Sequence, residues 1–90
     1  MKVYIASTSG TYLNKVFMVK DSNGKIAVCK DEKDLIPLIY ADANNHLIEK
    51  DKDGKPISEN LGRTIYFKAY DGNYLFYHIF ELDIDPQLFE

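Results

Sequence analysis

Apolar positions along this chain alternate with a period of two in several short runs and follow a helical spacing in one. Lys2 to Ala6 alternates as a strand with Val3 and Ile5 on one side, and the Ser7-Thr8-Ser9-Gly10-Thr11 run that follows reads as a loop. A second strand is expected from about Tyr12 to Lys20, closed by the turn Asp21-Ser22-Asn23-Gly24. Pairing Ser22 with Lys25 puts Phe17, Val19, Ile26 and Val28 on one face and Met18, Ala27 and Cys29 on the other. Helical spacing is confined to Leu35, Leu38, Ile39 and Ala43, ended by Asn44-Asn45. Asp31 is an N-cap candidate, but Pro37 falls in the first turn only if the helix begins at Asp34, and that later start is the expectation.

Beyond the helix, His46 to Lys50 reads as a weak strand, Asp53-Gly54 as a turn leading to Lys55-Pro56-Ile57, and Ser58 to Gly62 as a linker. The densest signal comes last. From Thr64 to Leu82, two aromatic and β-branched runs flank Asp71-Gly72, the pattern of a hairpin closed by a type I′ turn. With Tyr70 facing Asn73, one face carries Ile65, Phe67, Ala69, Tyr74, Phe76, His78, Phe80 and Leu82, and the other Tyr66, Tyr70, Leu75, Tyr77 and Ile79, broken by Lys68 and Glu81. Both faces are apolar, and a single helix covers only one. The expected architecture is one α+β domain over residues 1–90: an antiparallel sheet of about four to six strands built from hairpins, with one α-helix packed on one face.

Composition adds limits. At 46% hydrophobic and 28% charged residues, the chain is ordinary for a folded domain, although 90 residues bury a core of modest size. One cysteine, Cys29, allows no intrachain disulfide, and no apolar run has the length of a leader or a membrane span. A cytoplasmic protein is expected. The net charge of −3 is small, but its distribution is uneven: residues 69–90 hold five acids and no base. Glu81, Asp83, Asp85 and Glu90 interleave with Leu82, Ile84, Leu88 and Phe89, giving either a solvated edge or a strip that docks on a basic partner.

Candidate chemistry is sparse. Glu49, Asp51, Asp53 and Gly54 resemble the front of a calcium loop, but the twelfth position is Asn60 rather than a bidentate glutamate. His46 and His78 have no metal-ligand spacing, so neither metal nor cofactor is expected. Cys29 lies on a strand beside Met18 and Ala27 as a buried thiol would, and Asp83 with Asp85 lacks any sign of a pocket; no catalytic residue is assigned and the chain is read as a non-enzyme. Nucleic acid fits poorly, because the aromatics are interleaved with few bases.

Two binding readings remain. The first is a protein contact through the aromatic hairpin at Tyr66, Tyr70, Tyr77, Ile79, Glu81 and Asp83, with self-association as a dimer. The second is a sponge for a small phosphorylated nucleotide, with Ser7, Thr8, Ser9, Thr11 and Arg63 holding phosphate and a tyrosine stacking the base, although a rim salt bridge is the plainer account of Arg63.

The opening Lys-Val-Tyr-Ile-Ala-Ser-Thr-Ser-Gly-Thr-Tyr resembles the first strand and loop of small phage or prophage-encoded accessory proteins, over residues 2–20. That resemblance implies a non-enzymatic inhibitor or counter-defence protein in the host cytoplasm, occupying a host protein or sequestering a nucleotide signal. The same opening is similar to the first strand of nucleoside deoxyribosyltransferases, but the chain is too short for that fold and lacks its glutamate nucleophile motif.

Overall fold

The computed structural model describes residues 1–10, 13, 15–85 and 87. One antiparallel sheet of five strands carries a single helix: β1 (Lys2–Gly10), β2 (Phe17–Met18), α1 (Glu32–Ala43), β3 (Ser58–Leu61), β4 (Thr64–Lys68) and β5 (Tyr74–Asp83), in the spatial order β2-β1-β5-β4-β3. The sheet is open, and the fold is α+β as the hydrophobic pattern indicates. The expected residues Thr11, Tyr12, Leu88, Phe89 and Glu90 lie outside the described residues.

Ser7 to Gly10 is strand, not loop. β1 pairs with β5 along nine residues, from Lys2 opposite Asp83 to Gly10 opposite Leu75. Small polar side chains have little preference for a strand in isolation, but β5 offers a complete ladder, and its hydrogen bonds decide the conformation. Gly10 is needed at the end of that ladder, because a Cβ there would stand 2.8 Å from the Tyr74 carbonyl oxygen. At the far end the N-terminal ammonium sits 3.1 Å from Asp83, and Ile84 N–H donates to the Met1 carbonyl.

The turn signals mark turns, but each loop is one residue longer than a two-residue reading allows. Asp21 N–H donates to Lys25, and Asp51 N–H to Lys55, so Ser22–Gly24 and Lys52–Gly54 are three-residue loops. In both, the leading aspartate accepts two backbone amides, from Asn23 and Lys25 at one turn and from Asp53 and Lys55 at the other. Gly24 and Gly54 take φ of 78° and 79°, the left-handed residue that this loop class requires. In the aromatic hairpin, Asp71 and Gly72 have positive φ as a type I′ turn predicts, but Tyr70 joins them in the loop and Ala69 N–H donates to Asn73.

One extra loop residue changes the partner of every side chain across the hairpin. Ile65 now faces Tyr77 and Phe67 faces Leu75, while Tyr66 faces Phe76. The face read from a Tyr70–Asn73 pairing is therefore corrected: Ile65, Phe67, Leu75, Tyr77 and Ile79 lie together on one side, with Tyr66, Tyr74, Phe76, His78, Phe80 and Leu82 on the other. The same slip at Ser22–Gly24 brings Val19 and Ala27 into the core and leaves Ile26 and Val28 exposed.

α1 covers the first side. It begins at Glu32, with Asp31 at the N-cap, rather than after Asp34, and it keeps Pro37 in its interior. Pro37 is exposed and removes one backbone donor from the helix interior. Leu35, Ile39 and Ala43 are buried against Ile65, Phe67, Leu75 and Tyr77 in one cluster. Tyr40 meets Phe67 edge-on at 5.1 Å, Phe67 meets Tyr77 at 5.5 Å, and the Tyr77 hydroxyl donates a short hydrogen bond to Asp42 of the helix.

The margins are polar or brief. β2 has two residues, and β3, read as linker, is a fully exposed edge strand of Ser-Glu-Asn-Leu joined to β4 through Gly62 and Arg63. Single bridges, Ile48 to Ala69 and Lys50 to Pro56, replace the weak strand expected at His46 to Lys50.

Replacing Gly10 by alanine should lower the denaturation free energy by about 1–3 kcal/mol through displacement of the Tyr74 backbone. Urea titration checks this, with Ser9→Ala expected to stay within about 0.5 kcal/mol of the parent; equal midpoints for the two variants would contradict the close approach at Gly10.

Candidate protein-binding face

Side chains alternate along each strand, so the register assigns the uncovered face. β1 contributes Val3, Ile5, Ser7 and Ser9; β5 contributes Tyr74, Phe76, His78, Phe80 and Leu82; β4 contributes Thr64, Tyr66 and Lys68. Glu59 and Leu61 extend it on β3, and Met18 on β2. The face is open towards β5 and β3, where Phe80 is 46% exposed and Leu82 40% with Tyr74 and Leu61 also open to solvent, but Val3 and Ser7 of β1 are buried on it; the core aromatics Phe67 and Tyr77 on the other side are fully buried. The rings are ordered against one another. Tyr66 stands edge-on to Phe76 at 5.2 Å, and Tyr74 stacks on Phe76 at 6.2 Å.

Charge is nearly absent from this face. Among its described strand residues the charged side chains are Glu59 and Lys68, both on the β3–β4 side, and Lys68 Nζ lies 3.4 Å from Glu49. His78 sits mid-strand on β5, the central strand, with Nδ1 3.0 Å from the Thr64 hydroxyl.

The opposite side ends in a polar cluster beyond the helix N-terminus. Arg63 reaches Glu32 at 3.1 Å and Glu81 at 3.4 Å, its guanidinium lies 5.6 Å from the centre of the Tyr4 ring, and the Tyr4 hydroxyl donates to Glu81 at 2.9 Å. The bond from Tyr4 holds the Glu81 carboxyl below its ordinary value, with Lys2 and Arg63 adding to the effect against a smaller opposing contribution from burial. The same bond raises the Tyr4 phenol, helped by partial burial. Partial burial pulls the Arg63 guanidinium down, but the carboxylates of Glu32 and Glu81 outweigh it and hold the group more firmly protonated. Arg63 is thus engaged by two carboxylates.

The predicted contact residues separate. Tyr66 is on the uncovered face and Tyr70 is exposed in the hairpin loop, but Tyr77 and Ile79 are buried beneath the helix. Glu81 belongs to the polar cluster, and Asp83 pairs with the N-terminus. Tyr74, Phe76, Phe80 and Leu82 stand in their place; a three-residue loop at Tyr70–Gly72 was the signal that would have found them. The phosphate-binding set does not assemble either. Ser7 and Ser9 point to the uncovered face and Thr8 to the core side, where it is 2% exposed and its Oγ1 has no described hydrogen-bond partner. Thr11 lies outside the described residues.

Burial raises the Cys29 thiol, with the Asp34 carboxylate adding to it, so little thiolate is present at neutral pH. The Asp51 and Asp53 segment is spent on its turn, and no group of three or more potential ligands is present among the described residues. A shallow groove of about 380 Å³ lies between the helix C-terminus and the hairpin tip, lined by His46, Leu47, Tyr70 and Asp71. No described helix is long and apolar enough to cross a membrane. No protein-family model, curated protein or solved structure matches the chain. The case for function rests on the faces of the sheet.

Because its folded-state value is depressed, Glu81 contributes stability that is present above the ordinary carboxylate range and lost as pH falls through the folded value. Glu81→Gln should therefore lower the melting temperature at pH 7 and converge with the parent as the solution is acidified. Scanning calorimetry across the acid range checks this; a difference that persists unchanged at the acid limit would show that the ion cluster is not its source.

Proposed function

We propose that this chain is a non-enzymatic protein-binding domain that uses the uncovered face of its sheet as the contact surface and acts by occupying its target sterically. The observation that supports it is a sheet face bearing Tyr66, Tyr74, Phe76, Phe80 and Leu82, with almost no charge and with Tyr74, Phe80 and Leu82 open to solvent. Aromatic side chains supply large contact area for little ordering entropy, and charged residues are depleted at interface cores. A contiguous apolar patch of this kind is unusual on a monomer without a binding role.

Nucleic acid is disfavoured by the same face, since Lys68 is its described cation and already has Glu49 beside it. The phosphate reading loses its support with Arg63 held by Glu32 and Glu81. A host-cell protein as target, in the manner of a phage-type inhibitor, is the form this proposal takes if the resemblance of residues 2–20 reflects common use.

Immobilised parent protein should retain a target from lysate of the native host that the double variant Phe80→Asp, Leu82→Asp does not, while Lys33→Asp, an exposed position on the helix that covers the opposite side of the sheet, retains it. Both face residues are substantially exposed, so the variant should keep its circular dichroism spectrum. Identical capture by all three proteins would overturn the assignment of the face.

A further inference from the structure

Residues 15–30 differ from the rest of the chain in charge. They hold Lys15, Lys20, Lys25 and Lys30 against a single acid, Asp21, which makes the segment +3 in a chain whose total is −3. All four lysines are exposed, and none is in an ion pair among the described residues. Asp21 is turned onto its own loop, where its carboxylate accepts the Asn23 and Lys25 amides. A charge separation of this kind orients a molecule as it approaches a negative surface, with the positive segment leading.

Apolar side chains stand among these cations. Val19 and Ala27 enter the core, and Ala27 N–H donates to the Val19 carbonyl, so alternation directs Lys20, Ile26 and Val28 away from the core; Lys20 and Ile26 are bridge partners. Ile26 is 50% exposed, Val28 47% and Val16 69%. Three aliphatic side chains therefore lie open beside four lysines.

The composition of this surface selects what it fits. Protein interfaces are enriched in arginine and aromatic rings and depleted of lysine, whereas every cation of the segment is lysine and its one aromatic residue is Phe17. Single-stranded nucleic acid needs rings on which successive bases stack, and the same shortage applies. Lysine is a hydrated point charge on a long apolar stem, suited to a diffuse negative surface rather than to a fixed pair of oxygens. A bilayer with anionic headgroups offers such a charge, together with an acyl boundary that short aliphatic side chains can enter.

We propose that residues 15–30 hold this protein against an anionic lipid bilayer, with Lys15, Lys20, Lys25 and Lys30 over the headgroups and Val16, Ile26 and Val28 at the acyl boundary. The contact is peripheral and reversible. Its electrostatic part acts over a Debye length, ~8 Å in physiological salt, and weakens as salt is added. β1 separates this edge of the sheet from Phe80 and Leu82 on β5, so the contact is independent of the protein-binding reading of those residues.

Vesicle flotation tests this with phosphatidylcholine alone and with an equal mixture of phosphatidylcholine and phosphatidylserine, on the parent chain and on variants whose circular dichroism shows that they remain folded. The parent should float with the mixed vesicles, stay behind with phosphatidylcholine alone, and be released as salt is raised. Lys20→Glu combined with Lys25→Glu should weaken binding at least about twentyfold, since each lysine near an anionic surface contributes about fivefold. Lys52→Glu combined with Lys55→Glu makes the same change of charge on the corresponding turn and should bind nearly as the parent does. Ile26→Ser combined with Val28→Ser should weaken binding at unchanged charge. Binding of the parent to neither vesicle, equal binding to both, or equal loss in the two lysine reversals would each overturn the inference. Retention on immobilised polyglutamate without binding to the mixed vesicles would overturn it in favour of an acidic protein.

Discussion

The nine-residue pairing of β1 with β5 is the constraint on which the remaining structure depends. It joins the two ends of the chain across separations of 65 residues at Gly10–Leu75 and 81 at Lys2–Asp83, so it bears most of the loop-closure entropy of the fold. Local hairpins form without it, but none of them alone buries a core. Once made, it places β5 at the centre of the sheet with hydrogen bonds on both sides, which gives α1 a surface on which Leu35, Ile39 and Ala43 are buried.

The second determinant is loop length. Two turns repeat one chemistry thirty residues apart, in which an aspartate carboxylate accepts two amides and a glycine takes positive φ. The aromatic hairpin reaches the same length by adding Tyr70 to Asp71-Gly72. An Asp-Gly pair is compatible with loops of two or three residues, and these differ by little in local energy. The choice between them is made by the face that must be buried: only the longer loop puts Ile65 and Phe67 on the side of Leu75, Tyr77 and Ile79.

That choice also sorts the candidate site. Tyr66 and Tyr77 are equally aromatic and lie on strands of similar pattern, yet one is on the uncovered face and the other is bonded to Asp42 beneath the helix. The surplus of apolar residues over what one helix covers was readable from the hairpin alone. Which residues made up the surplus was not, because it depended on the pairing of two strands. Arg63 does form the ion pair that was its plainer reading, but its partners were not legible: Glu32 and Glu81 lie 31 and 18 positions away and are brought together when α1 lies across the sheet.

From the residues alone came the α+β class, the helical stripe at Leu35, Ile39 and Ala43, the turns at Gly24, Gly54 and Gly72, and a hairpin with more apolar surface than one layer conceals. These are properties of short stretches, set by side-chain periodicity and by the backbone freedom of glycine. Tertiary structure alone decided that Ser7 to Gly10 extends β1, that Ser58 to Leu61 is a strand, that α1 accepts Pro37, and that Phe76, Phe80 and Leu82 rather than Tyr77 and Ile79 face outward. Alternation defines two faces within each strand, but the relation between strands is a long-range hydrogen-bonding and burial problem, and its solution settles which face remains open.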